Sequence, residues 1–514
     1  MMHWNKSRRS DPPVADRRHA TEFLNRLPQD DPFRLLEEIT FWLKALREAY
    51  GMAPQRALEV IDLFDVTAYP HRSKLVEYFI ALGGRYQNYQ AQRAWNTSSQ
   101  FAHELAASYR FLIEQYRKRV GGFEHLRPML PMIAARAMRA LETELKWNMF
   151  RRGQLDETLW TAAGEIYAYA EDSGFVTQSV TLYAGEQTDS NVRREYLRAL
   201  MLSISSADSL PPEKVQLAES FIRHYTDFFA LERLPRRGCH YCVDLKSARG
   251  PTRPIGRIAS KPTIRYFGPD RAAETVDSMI ERVRVRDAAP VELELAGRFD
   301  AQTVLDVLEH LGRYWALTPP TRACERKPVV MRIDVVHDFD SIMNMVSGDS
   351  QDLDFSAAAM ETWTVENESD GGFGAVVTEG TSEWLQIGSL LGIRLEEGAS
   401  WGVGVVRRLS CPASGEMLVG IQTLSKGAVR VDVSDTSDDA SNDALLLLSD
   451  SEDSAQTPEL ALMLPTGMFD ATKKFVVHTF GRTYPVMPEQ VFEKGAGYEC
   501  ARFRLQETEA ADSA

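Results

Sequence analysis

The chain has 514 residues, 44% hydrophobic and 26% charged. That balance suits folded, multidomain globular protein, with a length prior of roughly three or four domains. A net charge of −14 repels nucleic acid and anionic lipid, so neither is expected as a partner, and an anionic ligand needs a local basic pocket. No run of about 18 apolar residues suggests a membrane span. Five cysteines are too few for a disulfide framework and point to a reducing compartment, the cytoplasm by default.

In chain order, residues 1–30 are polar and rich in Arg, Asp and Pro. They are expected to form a disordered arm with no apolar core of a secretory signal. Order is expected from Asp31-Pro32, a capping residue followed by a proline suited to the first helical position. Leu35, Ile39, Trp42 and Leu46 follow at helical spacing. The same spacing recurs in Phe101–Tyr116, Ala134–Leu145 and Val215–Phe229, and residues 31–235 read as an all-α domain. The helix lengths suit a repeat-like array, although no repeat signature stands out. Residues 236–320 mix short strands with helices at 271–283 and 300–317, a mixed α/β connecting module.

After TPPTRACERKP the apolar period switches to two. VVMRIDVVHDF, WTVEN, WGVGVVRRL, EMLVGIQTL and AVRVDV alternate like strands and predict an antiparallel β-barrel over 321–435. The acidic, Ser-rich stretch 436–459 reads as a disordered loop. KKFVVHTF, RTYPV and YECARFRL within 460–508 read as a β extension that adds strands to the barrel or packs a second sheet on it. Residues 509–514 read as a disordered tail.

Two motifs stand out. Arg322 and Arg326 lie in RACER, just before the first barrel strand. Two guanidinium groups on a loop can fork onto phosphates, stack on flat rings and bond guanine O6 and N7. The second is NESDGG, Asn367–Gly372. Its Asn and Ser side chains can bond backbone groups and shape a turn, and its glycines allow positive φ or the close approach of a ligand. Either motif alone reads as a plain loop or turn.

An RxxxR leading into a β-barrel, followed by an [D/N]xSxxG between early strands, resembles the PilZ domain family, bacterial receptors of cyclic dimeric GMP. IGSLLGIRL, WGVGVVRRLS and LVGIQTLS are also similar to that family, and the resemblance covers 320–435. It implies that Arg322 and Arg326 clamp phosphate and guanine, that Asn367 and Ser369 bond a guanine edge, and that Gly372 keeps the turn tight. It further implies a switch in which the lead-in loop orders over the ligand. The protein would then be a non-enzymatic receptor with no cofactor, relaying the signal through its helical domain to an unknown protein partner in motility, biofilm or exopolysaccharide control. The alternative is a scaffold whose barrel no longer binds nucleotide. The fold class expected is thus multidomain α+β, with a C-terminal PilZ-type barrel carrying extra strands.

Other candidates carry less. Cys239-His-Tyr-Cys242 lacks a second CxxC to complete a zinc site. SGDSQDLDFSAAA (347–359) reads as a loop inserted between the two motifs. The His and Asp residues of HDFD (337–340) read as turn residues, and Arg407 and Arg408 either flank the pocket or face solvent. No GxSxG, HExxH, Walker A or GxGxxG stands in the context its chemistry needs, so no catalytic residue is assigned.

Overall fold

The helices begin where the sequence offers caps. In the computed structural model, Asp16 accepts from the His19 N–H at 3.0 Å ahead of α1 (Arg17–Leu24), and Asp31 accepts from the Arg34 N–H at 3.1 Å at the start of α2 (Pro32–Glu48). The structure describes residues 16–48, 53–83, 88–151, 157–186, 188–254, 261–290, 299–318, 326–347, 360–378, 384–395, 400–410, 416–435, 441–448, 459–479, 481–495 and 497–506. The chain divides into two units, 1–320 and 321–514.

The first unit continues with α3 (Pro54–Ala81), α4 (Tyr89–Arg117), α5 (Leu130–Arg151), α6 (Glu157–Asp172), α7 (Val192–Ile204) and α8 (Pro212–His224). A three-stranded antiparallel sheet follows, built from β1 (Ala230–Glu232), β2 (Tyr241–Asp244) and β3 (Ile264–Gly268), with β3 in the middle. Then come α9 (Ala272–Arg286) and α10 (Ala301–Trp315). The stripes seen in the sequence are buried: Leu35, Ile39 and Leu46 on α2, Phe101, Leu105 and Leu112 on α4, Met138 and Leu145 on α5. A single apolar core runs from Ala20 to Trp315, so the mixed segment packs into the helical body instead of standing apart from it. Trp315 shows how. Its ring meets Phe229 edge-on at 5.1 Å, and its Nε1 donates to Ser205 Oγ at 2.9 Å. The expected arm 1–30 requires correction, because it contains α1. Ala20, Leu24 and Leu27 lie at helical spacing among the charges and are buried.

Burial also traps charge. Four carboxylates (Glu142, Glu186, Glu195, Glu219) cluster with Arg139, Lys146 and Arg198, and Arg223 reaches Glu219 from a more exposed position. Glu195 is held down to about 2 against its burial by Arg139 and Arg198, whereas desolvation beside Glu195 and Glu219 pushes Glu142 up to about 7 from its ordinary 4.5. A raised carboxyl costs nothing below pH 4.5 and progressively destabilises the fold as pH rises to 7. Glu142→Gln is therefore expected to leave stability unchanged at pH 4. At pH 8 it should raise stability by up to about 3 kcal/mol, at 1.36 kcal/mol per pH unit, as read by urea unfolding at the two pH values.

The second unit holds two closed barrels. The first comprises β4 (Lys327–His337), β5 (Glu361–Ser369), β6 (Gly372–Thr378), β7 (Leu390–Leu395), β8 (Gly402–Ser410) and β9 (Glu416–Ser425), with α11 (Phe339–Ser347) after β4. Its order is β4-β5-β6-β9-β8-β7, closed by β4 on β7. The second comprises β10 (Ala428–Asp435), β11 (Ser441–Leu447), β12 (Glu459–Pro465), β13 (Phe475–Thr479), β14 (Arg482–Gly495) and β15 (Tyr498–Leu505), ordered β10-β11-β12-β15-β14-β13 and closed by β10 on β13. Numbered within each barrel, both orders are one-two-three-six-five-four. The two barrels share one topology.

This revises three expectations. AVRVDV is the first strand of the second barrel, because β10 pairs with β11 and β13 and with no strand of the first. The strands of 460–508 close with it into a complete barrel and are not extra strands of the first. The expected disordered loop 436–459 includes β11, whose ALLL run places Ala444, Leu445 and Leu447 in apolar cores. The barrels meet through an apolar layer of Val336, Ile342, Leu390, Val403 and Val405 from the first against Leu445, Leu447, Met463, Tyr498 and Cys500 from the second. Helix α11 packs against β4, β7 and β10 at this joint.

Candidate functional site

The NESDGG stretch is a hairpin tip. Ser369 and Gly372 are the last facing pair of β5 and β6, and Asp370-Gly371 make the turn. Glu366 is the extra residue of a β-bulge between Val365 and Asn367. Before the bulge Trp363 and Val365 point into the core; past it the faces switch, with Asn367 opposite Gly374 and Ser369 opposite Gly372. Asn367 and Ser369, two apart, share one face of the strand.

The glycines serve close approach. Gly372 takes φ +148°, and a Cβ there would lie 1.9 Å from the Ile421 carbonyl oxygen. At Gly374 a Cβ would lie 2.6 Å from the Asn367 amide, so the missing side chain makes room for that of Asn367. The tip is fastened by Ser369 Oγ donating to Gly372 O at 3.3 Å and by the Thr423 N–H donating to Gly371 O at 3.1 Å.

Asn367 Oδ1 is buried and has no hydrogen-bond partner among the described residues. In the ladder Asn367 pairs with Pro328 on one side and with Gly374 on the other, and its side-chain amide lies over Gly374. An orphaned acceptor costs roughly 1–3 kcal/mol. A ligand that brings an N–H, as the N1 and N2 edge of guanine does, would recover that cost.

The hairpin stands beside the start of the barrel. Lys327 faces Glu368 and Pro328 faces Asn367, so Arg326 arrives at the ladder next in line to Ser369. Arg326 is exposed. Arg322, and Cys324 between the two arginines, lie outside the described residues, as does the inserted stretch 348–359. A cleft of about 320 Å³ opens at this end of the barrel. Phe373, Ile393 and Val403 give it an apolar floor, and Ser369, Lys327 and Lys426 lie on its polar side together with Glu368 and Asp370. Its size is at the low end of ligand pockets, about 300–1,000 Å³. Of the five residues expected at the site, the structure brings Arg326, Asn367, Ser369 and Gly372 to one end of one barrel, and Ser369 alone among them lines the cleft.

Sequence reasoning missed the two lysines. Lys327 adjoins Arg326 and could have been added to that motif. Lys426 sits in a short SKG turn with no distinguishing signal. The structure also separates the two arginines of β8. Arg407 is taken up by Gln422, at 2.7 Å, and by a fork onto Glu493 of the second barrel, at 3.0 Å through Nη1. Arg408 faces Gly420 across the ladder, in the same row as Gly374 and Asn367.

The second barrel has no counterpart of either motif. Only Lys426-Gly427 lead into it, and the β11–β12 connection, LSDSEDSAQTP, has neither a glycine nor an Asn/Asp-x-Ser.

The remaining candidates are accounted for locally. Cys239 and Cys242 are buried free thiols, and burial pushes the Cys239 thiol up, away from the thiolate that metal or redox chemistry needs. Among the described residues no three His, Cys, Asp or Glu side chains cluster as a metal site. His337 stacks on Trp384 at 4.1 Å, and Asp338 accepts from the Ser341 N–H at 2.9 Å at the start of α11. No helix among the described residues is long and apolar enough to cross a membrane.

No curated protein and no solved structure matches the chain. Two family models do. Residues 18–236 match "Cyclic-di-GMP receptor FimW, N-terminal domain", and residues 337–429 match "Cyclic-di-GMP receptor FimW, middle PilZ domain". The second match contains the hairpin and starts at the last residue of β4, past the arginines. It places the PilZ domain in the middle of the chain and corrects the C-terminal position expected from sequence. The matches together take in more than half of the chain, with its helical body and its first barrel in the order of that family, and the chain belongs to the FimW family of cyclic-di-GMP receptors, which is not a known enzyme family.

Proposed function

We propose that this chain binds cyclic dimeric GMP at the β5–β6 end of its first barrel and passes the signal to a protein partner through its helical unit. The observation that supports it most directly is the orphaned Asn367 acceptor. It shares a strand face with Ser369, at the place where Arg326 joins the barrel. Asn367 and Ser369 read a guanine edge, Arg322 and Arg326 grip phosphate and stack on the base, and Gly372 holds the hairpin tip close to β9. Ordering of the lead-in loop over the ligand is the switch. The setting is the bacterial cytoplasm, and the output is control of motility, biofilm or exopolysaccharide.

Electrostatics makes the arginines necessary. The chain carries −14 overall, and Glu368 and Asp370 add negative charge beside the cleft. A dianion therefore needs the local cations to hold it. The same two carboxylates favour the second reading, a scaffold with a barrel that binds no nucleotide.

Calorimetric titration of the whole protein with cyclic dimeric GMP tests the proposal, with GTP as a control and an Arg322→Ala/Arg326→Ala variant beside it. Binding at micromolar Kd or tighter, worth about 8 kcal/mol, is expected, with none to GTP or in the variant. Absence of heat and of any shift in Tm on addition of the dinucleotide would sink the receptor reading and leave the scaffold.

A further inference from the structure

The cleft beside Ser369 is not built by the first barrel alone. Lys426, in the two-residue connection to the second barrel, lines it as well. We infer that Lys426 is a further nucleotide-contacting residue and that the second barrel, although it lacks nucleotide motifs of its own, holds that lysine at the site. The inference rests on the receptor reading given above.

Three sets of contacts fix the connection. The Ala428 N–H donates to the Trp401 carbonyl at 2.9 Å, and the Leu448 N–H of the second barrel donates to the Gly427 carbonyl at 2.9 Å. Ser425 Oγ lies 2.5 Å from Gly427 O and 2.7 Å from Leu448 O, donating to one or the other, and accepts from the Gly427 N–H at 3.3 Å. Ser425 is buried, so these bonds face no competition from water. Gly402 lies directly beneath, where a Cβ would come within 2.7 Å of the Ser425 carbonyl oxygen and 3.1 Å of the Lys426 carbonyl oxygen. The backbone of Lys426 is thus pressed onto Gly402 of β8, and its neighbours Ser425 and Gly427 are tied to Leu448, the residue that follows β11.

The charge is placed where the ligand requires it. Lys327 and Lys426 both line the cleft that Ser369 enters, and a cyclic dinucleotide presents two phosphates. An ammonium group serves as a compact point charge on a flexible stem, so it tolerates small differences in phosphate position better than the guanidinium fork does. The joint also explains why a barrel without nucleotide motifs stays fused at a two-residue distance. Its apolar face covers Val403 and Val405 of β8, and its first strand carries the anchor of the connection.

The test is calorimetry of the full chain with cyclic dimeric GMP, comparing wild type with Lys426→Ala, Lys426→Arg, Ser425→Ala and Arg326→Ala. Lys473→Ala serves as a charge-matched control, since Lys473 sits on the second barrel beside Asp435. Lys426→Ala is expected to weaken binding about tenfold with Tm unchanged, and Lys426→Arg should stay within about threefold of wild type. Ser425→Ala should weaken binding several-fold with its lysine still present, the mark of a positioning residue, and Lys473→Ala should have no effect. If wild type binds, Arg326→Ala abolishes binding and Lys426→Ala remains within twofold, this inference is wrong while the receptor reading stands. If wild type does not bind, both fall together.

Discussion

Replacing Gly372 by alanine is expected to lower the stability of the barrel unit by about 3–5 kcal/mol and to remove nucleotide binding, while the same change at neighbouring Gly371 leaves both nearly intact. The contrast is geometric. At Gly372 φ is +148°, in a region that only glycine enters readily, and a Cβ would sit 1.9 Å from the Ile421 carbonyl oxygen. That oxygen belongs to a neighbouring strand and cannot swing aside, so the hairpin must lift from β9, against which Gly372 faces Gln422. Lifting the hairpin breaks the bond from Thr423 to Gly371 and moves Asn367 and Ser369 together. At Gly371 nothing lies within 4 Å of an added Cβ and φ is not positive. A methyl group there stiffens the unfolded chain and is expected to change stability by no more than about 1 kcal/mol. Differential scanning calorimetry should show a fall of roughly 10 °C for Gly372→Ala, from 2–4 °C per kcal/mol in units of this size. Equal shifts for the two variants would mean that the close approach to Ile421 does not constrain the hairpin.

The features legible in the sequence were those with a local cause. Helical stripes in α2, α4 and α5 and the alternation in β4, β8 and β9 follow from which side chains must leave water, and each was readable within a dozen residues. The hairpin was readable because its motif is contiguous. The second barrel was not, because closure is a long-range property: β10 pairs with β13 some forty residues away, and nothing in AVRVDV says which barrel it joins. β11 was hidden by its acidic flanks, which dominate the composition of 436–459 although the ALLL core packs inward. α1 was hidden in the same way by arginines. At the site, the face on which Asn367 lies depends on a bulge at Glu366, and the room for its amide depends on Gly374 standing opposite. Both are matters of register, which the alternation of apolar residues does not specify to within one residue once a bulge intervenes. Lys426 was invisible for a related reason, since its place beside Ser369 exists only once β9 has returned past β6.

Arg139→Ala is expected to be the most damaging single change in the helical unit, costing about 3–5 kcal/mol. Arg139 is 4% exposed, and it forks onto Glu195 with one contact at 2.8 Å, reaches Glu186 at 2.9 Å and stands 3.7 Å from Glu142. Its loss leaves Glu195 with Arg198 at 2.7 Å and the Ser190 hydroxyl, but leaves Glu142 without a cation this close among the partners seen for it. The penalty is therefore that of unpaired buried carboxylates, and it should depend on pH in a definite direction. With Arg139 gone, Glu142 titrates still higher and Glu195 loses its main source of depression. Both shifts favour the protonated forms, so the impairment should grow with pH, from about pH 2 upward through Glu195 and above about pH 7 through Glu142, and be smaller at pH 4.5 than at pH 8. Arg139→Lys should fall between the two, since an ammonium supplies charge without the fork that engages both Glu195 oxygens. Combining Arg139→Ala with Glu142→Gln should return part of the loss at pH 8, because one of the stranded charges is then absent. Urea unfolding of the three variants at pH 4.5 and pH 8 reads all of this. A loss independent of pH would show instead that Arg139 supports the unit through packing of its aliphatic stem, and that its charge contributes little.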